Sequence, residues 1–282
     1  MEKFTLNNQE LIPAVGFGVF LVPNDGPTYE ATLKALKAGY RHIDTAAAYM
    51  NESDVGKAVK DSGINRSEIY ITSKLWVQDY GYENAKVGIE NSLQQLGCEY
   101  IDLYLLHQPY GDITGAWKAL EEAVEEGKIK SIGISNQTLN IFNTFIKNCK
   151  IIPAVNQVEC NPLFQQKELR KVMDTYGIRL EAWYPLGHGN KELLENKYLV
   201  SLANKYHKNV GQIILRWHYQ EVIVSLPKSV NDKRIKGNID IFDFTLTEEE
   251  MNTIQAMDTG KGTHNIEDKA TETRIMGLKI HE

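Results

Sequence analysis

Three runs lie in order along the chain: YRHID (residues 40–44), EIYITSK (68–74) and YIDLYLLH (100–107). Each is rich in β-branched, aromatic and aliphatic residues, the composition of a strand buried on both faces. Each also ends on a residue that titrates: Asp44, Lys74 or His107. Between them the period changes. Tyr82, Ala85, Ile89, Leu93 and Leu96 recur at spacings of three and four, which predicts a helix with one apolar stripe, with Glu90, Asn91 and Gln94 on the opposite face. Strands alternating with helices imply a parallel sheet. Outward from this core, IKSIGIS (129–135), IPAVNQ (152–157), IRLEAWY (178–184) and EVIVSLP (221–227) continue the series, and VGFGVF (15–20) precedes it. No linker rich in Pro, Gly and Ser divides these eight units. They predict an α/β fold, one (β/α)8 barrel domain spanning residues 1–282.

Two local signals refine the outline. FTLNNQELI alternates about Asn7-Asn8 and predicts an N-terminal β-hairpin outside the main series, placed to close the barrel floor. Thr247-Glu248-Glu249-Glu250 has the capping-box spacing and predicts a helix running to Met257.

Composition narrows the function. A formal net charge of -6 disfavours nucleic acid and anionic membranes as partners, because both attract basic patches. A small-molecule partner is expected instead. The N-terminus lacks the apolar segment of a secretory signal, and no apolar run approaches eighteen residues. Cys98, Cys149 and Cys160 are odd in number and form no C-x-x-C, which fits free thiols in a reducing, cytoplasmic setting. With no long exposed apolar stripe, a monomer is the default expectation. H-E-x-x-H, metal-ligand Cys/His spacing and the P-loop pattern are all missing, so no metal site is expected. Gly16-Phe17-Gly18 lacks the third glycine and following helix of a Rossmann fingerprint.

In β/α barrels the chemistry sits at the C-terminal ends of the strands. Here those ends offer Asp44, Lys74, His107, Ser135-Asn136, Gln157 and Lys228, with Trp183 as a flat aromatic surface. Each alone has an ordinary structural explanation, such as a turn cap, a solvated strand end or a core histidine. Their convergence on one rim is what points to a site.

HIDTAAAYMNE, TSKLW, DLYLLHQP, GISN, NQVECNP, WYPLG and LPKS followed by RIKGN resemble, in order and over nearly the whole chain, the motifs of the aldo-keto reductase family. The resemblance is to its branch of bacterial 2,5-diketo-gluconate reductases and prostaglandin F synthases. It implies NADPH-dependent reduction of aldehydes or ketones, small dicarbonyl or sugar-derived compounds, to alcohols. The implied catalytic group is Asp44, Tyr49, Lys74 and His107: Tyr49 donates the proton, Lys74 lowers its pKa, Asp44 holds Lys74, and His107 orients the carbonyl oxygen. By the same resemblance Ser135, Asn136 and Gln157 bind the nicotinamide carboxamide and Trp183 stacks on the ring. Gly18, Val19, Tyr184, Pro185, Leu186, Gly187 and Asn238 flank the dinucleotide. Lys228, Ser229 and Arg234 take a ribose 2′-phosphate, which favours NADPH over NADH. Phe20, Trp76, His107 and Tyr110 line the substrate pocket. Four positions depart from the pattern: Met50 replaces a common glycine, Gln108 a tryptophan, Tyr184 a serine and Gly237 a glutamate.

Two other readings stay open. Lys74 as the nucleophile of a Schiff-base aldolase is disfavoured by Asp44, which keeps the amine protonated. A non-catalytic NADPH sensor would have no use for a proton donor.

Overall fold

The computed structural model describes residues 2–282. Two short strands, β1 (Lys3–Thr5) and β2 (Leu11–Pro13), pair antiparallel. Eight more follow: β3 (Phe17–Gly18), β4 (His42–Asp44), β5 (Tyr70–Leu75), β6 (Ile101–Leu106), β7 (Ile129–Ser135), β8 (Val155–Glu159), β9 (Arg179–Trp183) and β10 (Val224–Ser225). These eight form one parallel sheet in sequential order. The sheet closes on itself. Val15 bridges Ser225 in parallel, the Gly16 amide donates to the Ser225 carbonyl at 2.9 Å, and the Ser225 amide donates to the Ala14 carbonyl at 3.1 Å.

The helices are α1 (Pro27–Lys37), α2 (Glu52–Asp61), α3 (Tyr82–Leu96), α4 (Ile113–Glu125), α5 (Leu139–Phe145), α6 (Lys167–Asp174), α7 (Lys191–Leu194), α8 (Lys197–Tyr206), α9 (Val210–Gln220), α10 (Asp232–Ile239), α11 (Glu248–Gln255) and α12 (Lys269–Met276). The α3 stripe is as its period predicts, with Ala85, Ile89, Leu93 and Leu96 buried and Glu90, Asn91 and Gln94 exposed. Thr247 and Glu250 form the reciprocal capping box of α11. That helix ends at Gln255, two residues short of the expected Met257. Among the described residues no helix is long and apolar enough to cross a membrane.

Strand limits depart from the sequence pattern where backbone chemistry intervenes. Pro153 has no N–H to donate, so β8 starts at Val155, and it runs on to Glu159 because Glu159 pairs with Trp183. Gln157 is therefore two residues inside its strand rather than at its end. Lys74 is the penultimate residue of β5, and His107 is the first residue past β6.

The hairpin plugs the barrel floor. Leu6 and Ile12 pack with Tyr70, Leu103, Leu105, Val155 and Val224 in an apolar cluster inside the barrel. Asn7 Nδ2 ties the turn to the Pro153 carbonyl at 2.9 Å. Above this apolar floor, Asp44, Gln157 and Glu181 gather in the upper half of the barrel, toward the ends of the strands.

Close packing of α2 on the end of α3 depends on Gly56. A Cβ at Gly56 in α2 would lie 2.2 Å from the carbonyl oxygen of Leu96 at the end of α3. That partner is backbone and cannot swing aside, so Gly56→Ala is expected to force the helices apart. Overpacking of this kind costs about 1–3 kcal/mol. Urea unfolding should show an unfolding free energy lowered by that amount, seen as a lower midpoint at an unchanged slope; a wild-type midpoint would mean that α2 and α3 are not held this close.

Candidate active site

The end of β4 and the turn after it set the centre. Asp44 closes the strand, and the short 3-10 turn Ala47–Tyr49 brings the phenol back over the mouth. Met50 ends that turn at φ 58°, in the left-handed region where glycine is strain-free, which explains why glycine suits this position. Asn51 pins the turn from behind: it accepts from the Thr45 hydroxyl at 2.7 Å and donates to the Val19 and Val22 carbonyls at 3.2 Å each. Sequence reading missed Asn51, whose work is to fix the loop that carries Tyr49.

Lys74 is the hub. Its side chain is 0% exposed, yet Nζ satisfies three donor directions: Asp44 Oδ1 at 2.8 Å, the Thr45 carbonyl at 2.7 Å and the Tyr49 hydroxyl at 3.3 Å. Nζ also lies 4.8 Å from the centre of the Tyr49 ring. Burial alone disfavours charge on both partners, and it pushes the Asp44 carboxyl up against the pull of Lys74. Lys74, which burial alone would lower, ends above its usual value because of the Asp44 charge and Tyr49. Hydrogen bonding decides for the ionic form. Both Asp44 oxygens accept, one from Lys74 and the other from Gln157 Nε2 at 2.8 Å, an arrangement that a protonated carboxyl would waste.

Tyr49 behaves differently from the sequence expectation. Lys74 does pull its pKa down, but burial outweighs that pull and Asp44 opposes it, so the phenol is pushed up to about 12. It is held as a neutral acid. His107 stands beside it, the ring centres 5.5 Å apart and edge-on, with Trp76 on its other side at 5.2 Å. Burial, and then Lys74, hold its imidazole well below its ordinary pKa, so the ring is neutral. Nδ1 is sealed without a partner among the described residues, which leaves Nε2 as the ring nitrogen available to the mouth.

The residues expected to hold a cofactor ring this centre. Asn136, at φ 59°, accepts from Trp183 Nε1 at 2.9 Å and donates to the His107 carbonyl and to Gln108 Oε1. Gln108 thus tethers Asn136. Ser135 Oγ donates to the Gln157 carbonyl at 2.9 Å. After β9 the chain turns through Tyr184 (φ 51°), buried Pro185, half-buried Leu186 and Gly187 (φ 62°), with the Gly187 amide returning to the Tyr184 carbonyl at 2.8 Å. Tyr184 stacks on His188 with ring centres 4.3 Å apart. On the far side, Gly18 donates to the Pro227 carbonyl, on the seam where the barrel closes, and Val19 donates to the Asp44 carbonyl on the β4 side. Ser229 Oγ accepts from Arg234 Nε at 3.1 Å near the start of α10, while the Lys228 and Arg234 side chains remain exposed. Asn238 is buried within α10.

The substrate wall is more closed than the sequence implies. Phe20 is 39% exposed and packs 5.0 Å from the Tyr49 ring, but Trp76 and Tyr110 are covered by the C-terminal tail. Trp76 Nε1 donates to the Leu278 carbonyl at 2.8 Å, and the Tyr110 hydroxyl to the Ile266 carbonyl at 2.6 Å. His281 Nε2 meets Asp79 Oδ1 at 2.7 Å, and Thr263 binds Glu159 through both its amide and hydroxyl at 2.8 Å. Surface hollows of about 800 and 700 Å³ lie instead on the outer ring, against α11 and between α4 and α5. Neither touches the strand ends.

One buried acid went unread. Glu181 accepts from the same Gln157 Nε2 at 2.7 Å, and its other oxygen lies 3.6 Å from His42 Nε2. The signal was present: Glu181 precedes Trp183 by two in β9 and therefore faces the axis with it.

A (β/α)8 barrel with a Tyr–Lys–Asp–His cluster at its mouth is the architecture of an oxidoreductase acting on carbonyl groups. The model of the aldo/keto reductase family matches residues 21–259. The chain is 46% identical over 253 residues to a glyoxal reductase of Bacillus subtilis, covering 89% of this chain and 91% of that one. A solved aldo-keto reductase from a Medee basin deep-sea metagenome library superposes with a TM-score of 0.90 at 43% identity, over 93% of this chain and 97% of that one. An aldo-keto reductase solved in complex with NADPH superposes with a TM-score of 0.88 at 31% identity, over 94% and 90%. The chain belongs to the aldo/keto reductase family.

The Glu181 carboxyl is pushed up to about 8, first by burial and then by the Asp44 charge, from an ordinary 4.5. A raised folded-state pKa contributes stability that is complete below pH 4.5 and is lost as pH rises through about 8. Glu181→Gln has no such proton to lose. Its stability relative to the parent is expected to improve by about 3 kcal/mol between pH 5 and pH 8 in urea unfolding. A difference that does not change with pH would show that Glu181 is not buried as a neutral acid.

Proposed function

We propose that this chain, acting as one barrel domain over residues 1–282, is an NADPH-dependent reductase of small aldehydes and ketones, dicarbonyl compounds in particular. The observation that carries the reading is the Tyr49 hydroxyl, a neutral acid 3.3 Å from a buried ammonium at the barrel mouth. Kinship with a glyoxal reductase supports the dicarbonyl class. The free thiols of Cys98, Cys149 and Cys160 support a reducing, cytosolic setting, and we take the working form to be a monomer.

The residues around the mouth suit a phosphorylated nicotinamide dinucleotide. Gln157 Oε1 has no donor among the described residues, Trp183 offers a half-buried ring, and Lys228 and Arg234 are exposed cations beside the Ser229 hydroxyl. In this reading Ser135, Asn136 and Gln157 hold the carboxamide end, and Lys228, Ser229 and Arg234 hold the 2′-phosphate. When bound, NADPH supplies a hydride to the carbonyl carbon.

The chain's own part is to bind the carbonyl oxygen and neutralise the charge that builds on it. The Tyr49 phenol gives its proton to that oxygen, and the alcohol leaves. The phenolate left behind lies against the Lys74 ammonium, which stabilises it until solvent returns a proton. Asp44 keeps Lys74 charged and aimed. His107, neutral, donates from Nε2 and fixes the oxygen in line with Tyr49. A phenol pushed up to about 12 is a weak donor to water but a willing one to an oxygen gaining full negative charge.

Purified protein should oxidise NADPH, followed at its reduced-nicotinamide absorbance, in the presence of glyoxal or methylglyoxal. Tyr49→Phe is expected to lower kcat by about 10²–10⁴-fold while leaving the NADPH Kd within twofold. Wild-type turnover in that variant would remove Tyr49 as proton donor. Arg234→Ala is expected to weaken NADPH about tenfold and NADH hardly at all, as for loss of one charge-assisted contact to a phosphate. Equal weakening of both dinucleotides would place Arg234 away from the 2′-phosphate.

A further inference from the structure

Glu181 and His42 are fully buried beneath the mouth, and neither has a part in the reduction just described. Gln157 lies between them and the centre. Its Nε2 donates to Asp44 Oδ2 at 2.8 Å and to Glu181 Oε2 at 2.7 Å. An amide nitrogen carries two hydrogens, so both are taken, one by each carboxyl. Chemistry fixes which end of the amide is which: turned over, it would set its carbonyl oxygen against Asp44, which is ionised and only accepts. Oε1 is left over. It receives no hydrogen bond from the described residues, and it is not among the sealed buried atoms.

The surroundings of Glu181 describe its form. Its Oε1 has no hydrogen-bond partner among the described residues, and the nearest ring nitrogen, His42 Nε2, is 3.6 Å away and bonded instead to Thr72 Oγ1 at 2.9 Å. An ionised carboxylate with one bare oxygen at full burial, sharing a donor with ionised Asp44, would be uncompensated. A neutral carboxyl accepting through one oxygen fits.

We propose that Glu181 is a positioning residue for the nicotinamide end of the site: by taking the second amide hydrogen of Gln157, it fixes that side chain as a pure acceptor. The acceptor then selects a dinucleotide whose ring substituent carries an N–H, as a carboxamide does. This role rests on the NADPH reading above. Without Glu181, one Gln157 hydrogen loses its acceptor, and with Asp44 alone holding the amide its second N–H can swing toward the mouth, so the side chain is no longer a pure acceptor there.

The test is a binding measurement on the full chain, by quenching of tryptophan fluorescence, with NADP+ and with its 3-acetylpyridine analogue, in which a methyl group replaces the carboxamide NH₂. Wild type is expected to bind NADP+ about tenfold more tightly than the analogue, the loss of one hydrogen bond to a buried acceptor. Glu181→Gln, which keeps an acceptor at the same place, should hold that ratio within twofold. Glu181→Met, close in shape but with no comparable acceptor, should reduce it to below threefold; Glu181→Leu carries the same test if the methionine variant does not fold. A purely structural role would weaken both ligands alike, so a wild-type ratio in the variant overturns the role of Glu181 while leaving the reductase reading intact. Binding of neither dinucleotide by wild type overturns both.

Discussion

The site depends on a lysine with no access to water. An ammonium at full burial is tolerable only if its hydrogens find acceptors and its charge a counterion. Lys74 has Asp44, the Thr45 carbonyl and the Tyr49 hydroxyl. These three partners come from one segment, the end of β4 and the turn after it, so burying Lys74 also fixes the turn that carries the phenol. Removing one member of such a buried pair typically costs 3–5 kcal/mol, because the other is left uncompensated. Stability and chemistry therefore share a contact here. Asp44 extends it through Gln157 to Glu181, a polar seam inside a barrel whose floor is apolar.

Burial shapes the acid–base properties as strongly as the charges do. A simple pairwise view sets the Lys74 ammonium against the Tyr49 phenol and expects a lowered pKa. The same low-dielectric surroundings that strengthen the attraction also penalise the phenolate, and Asp44 cancels part of the ammonium's effect. The result is a donor kept protonated until a substrate oxygen gains charge. His107 follows the same logic, its ring held neutral by burial and by Lys74.

Much of this was legible in the sequence. Strand and helix periods gave the barrel, and Asp44, Lys74 and His107 stood out because charged or titrating residues are out of place at the ends of apolar runs. What stayed hidden has physical reasons. Glu181 sits mid-strand, where a carboxylate two residues from Arg179 looks like an edge position until the alternation is counted inward from Trp183. Asn51 acts through backbone carbonyls of a loop thirty residues away, which no local pattern encodes. The tail covers Trp76 and Tyr110 with the carbonyls of Leu278 and Ile266. A carbonyl is offered by every residue, so a charged, aperiodic tail gives no sign of where it will lie.

The central claim is that Tyr49 is a neutral phenol held against a charged, buried Lys74. It is tested most directly by 13C NMR of protein labelled at the tyrosine ζ carbon, with the Tyr49 signal assigned by its disappearance in Tyr49→Phe. On this account the signal stays at the neutral-phenol position through pH 10, since burial outweighs the lysine. A midpoint below pH 9 would mean that Lys74 dominates, and would contradict the account of how this site keeps its proton.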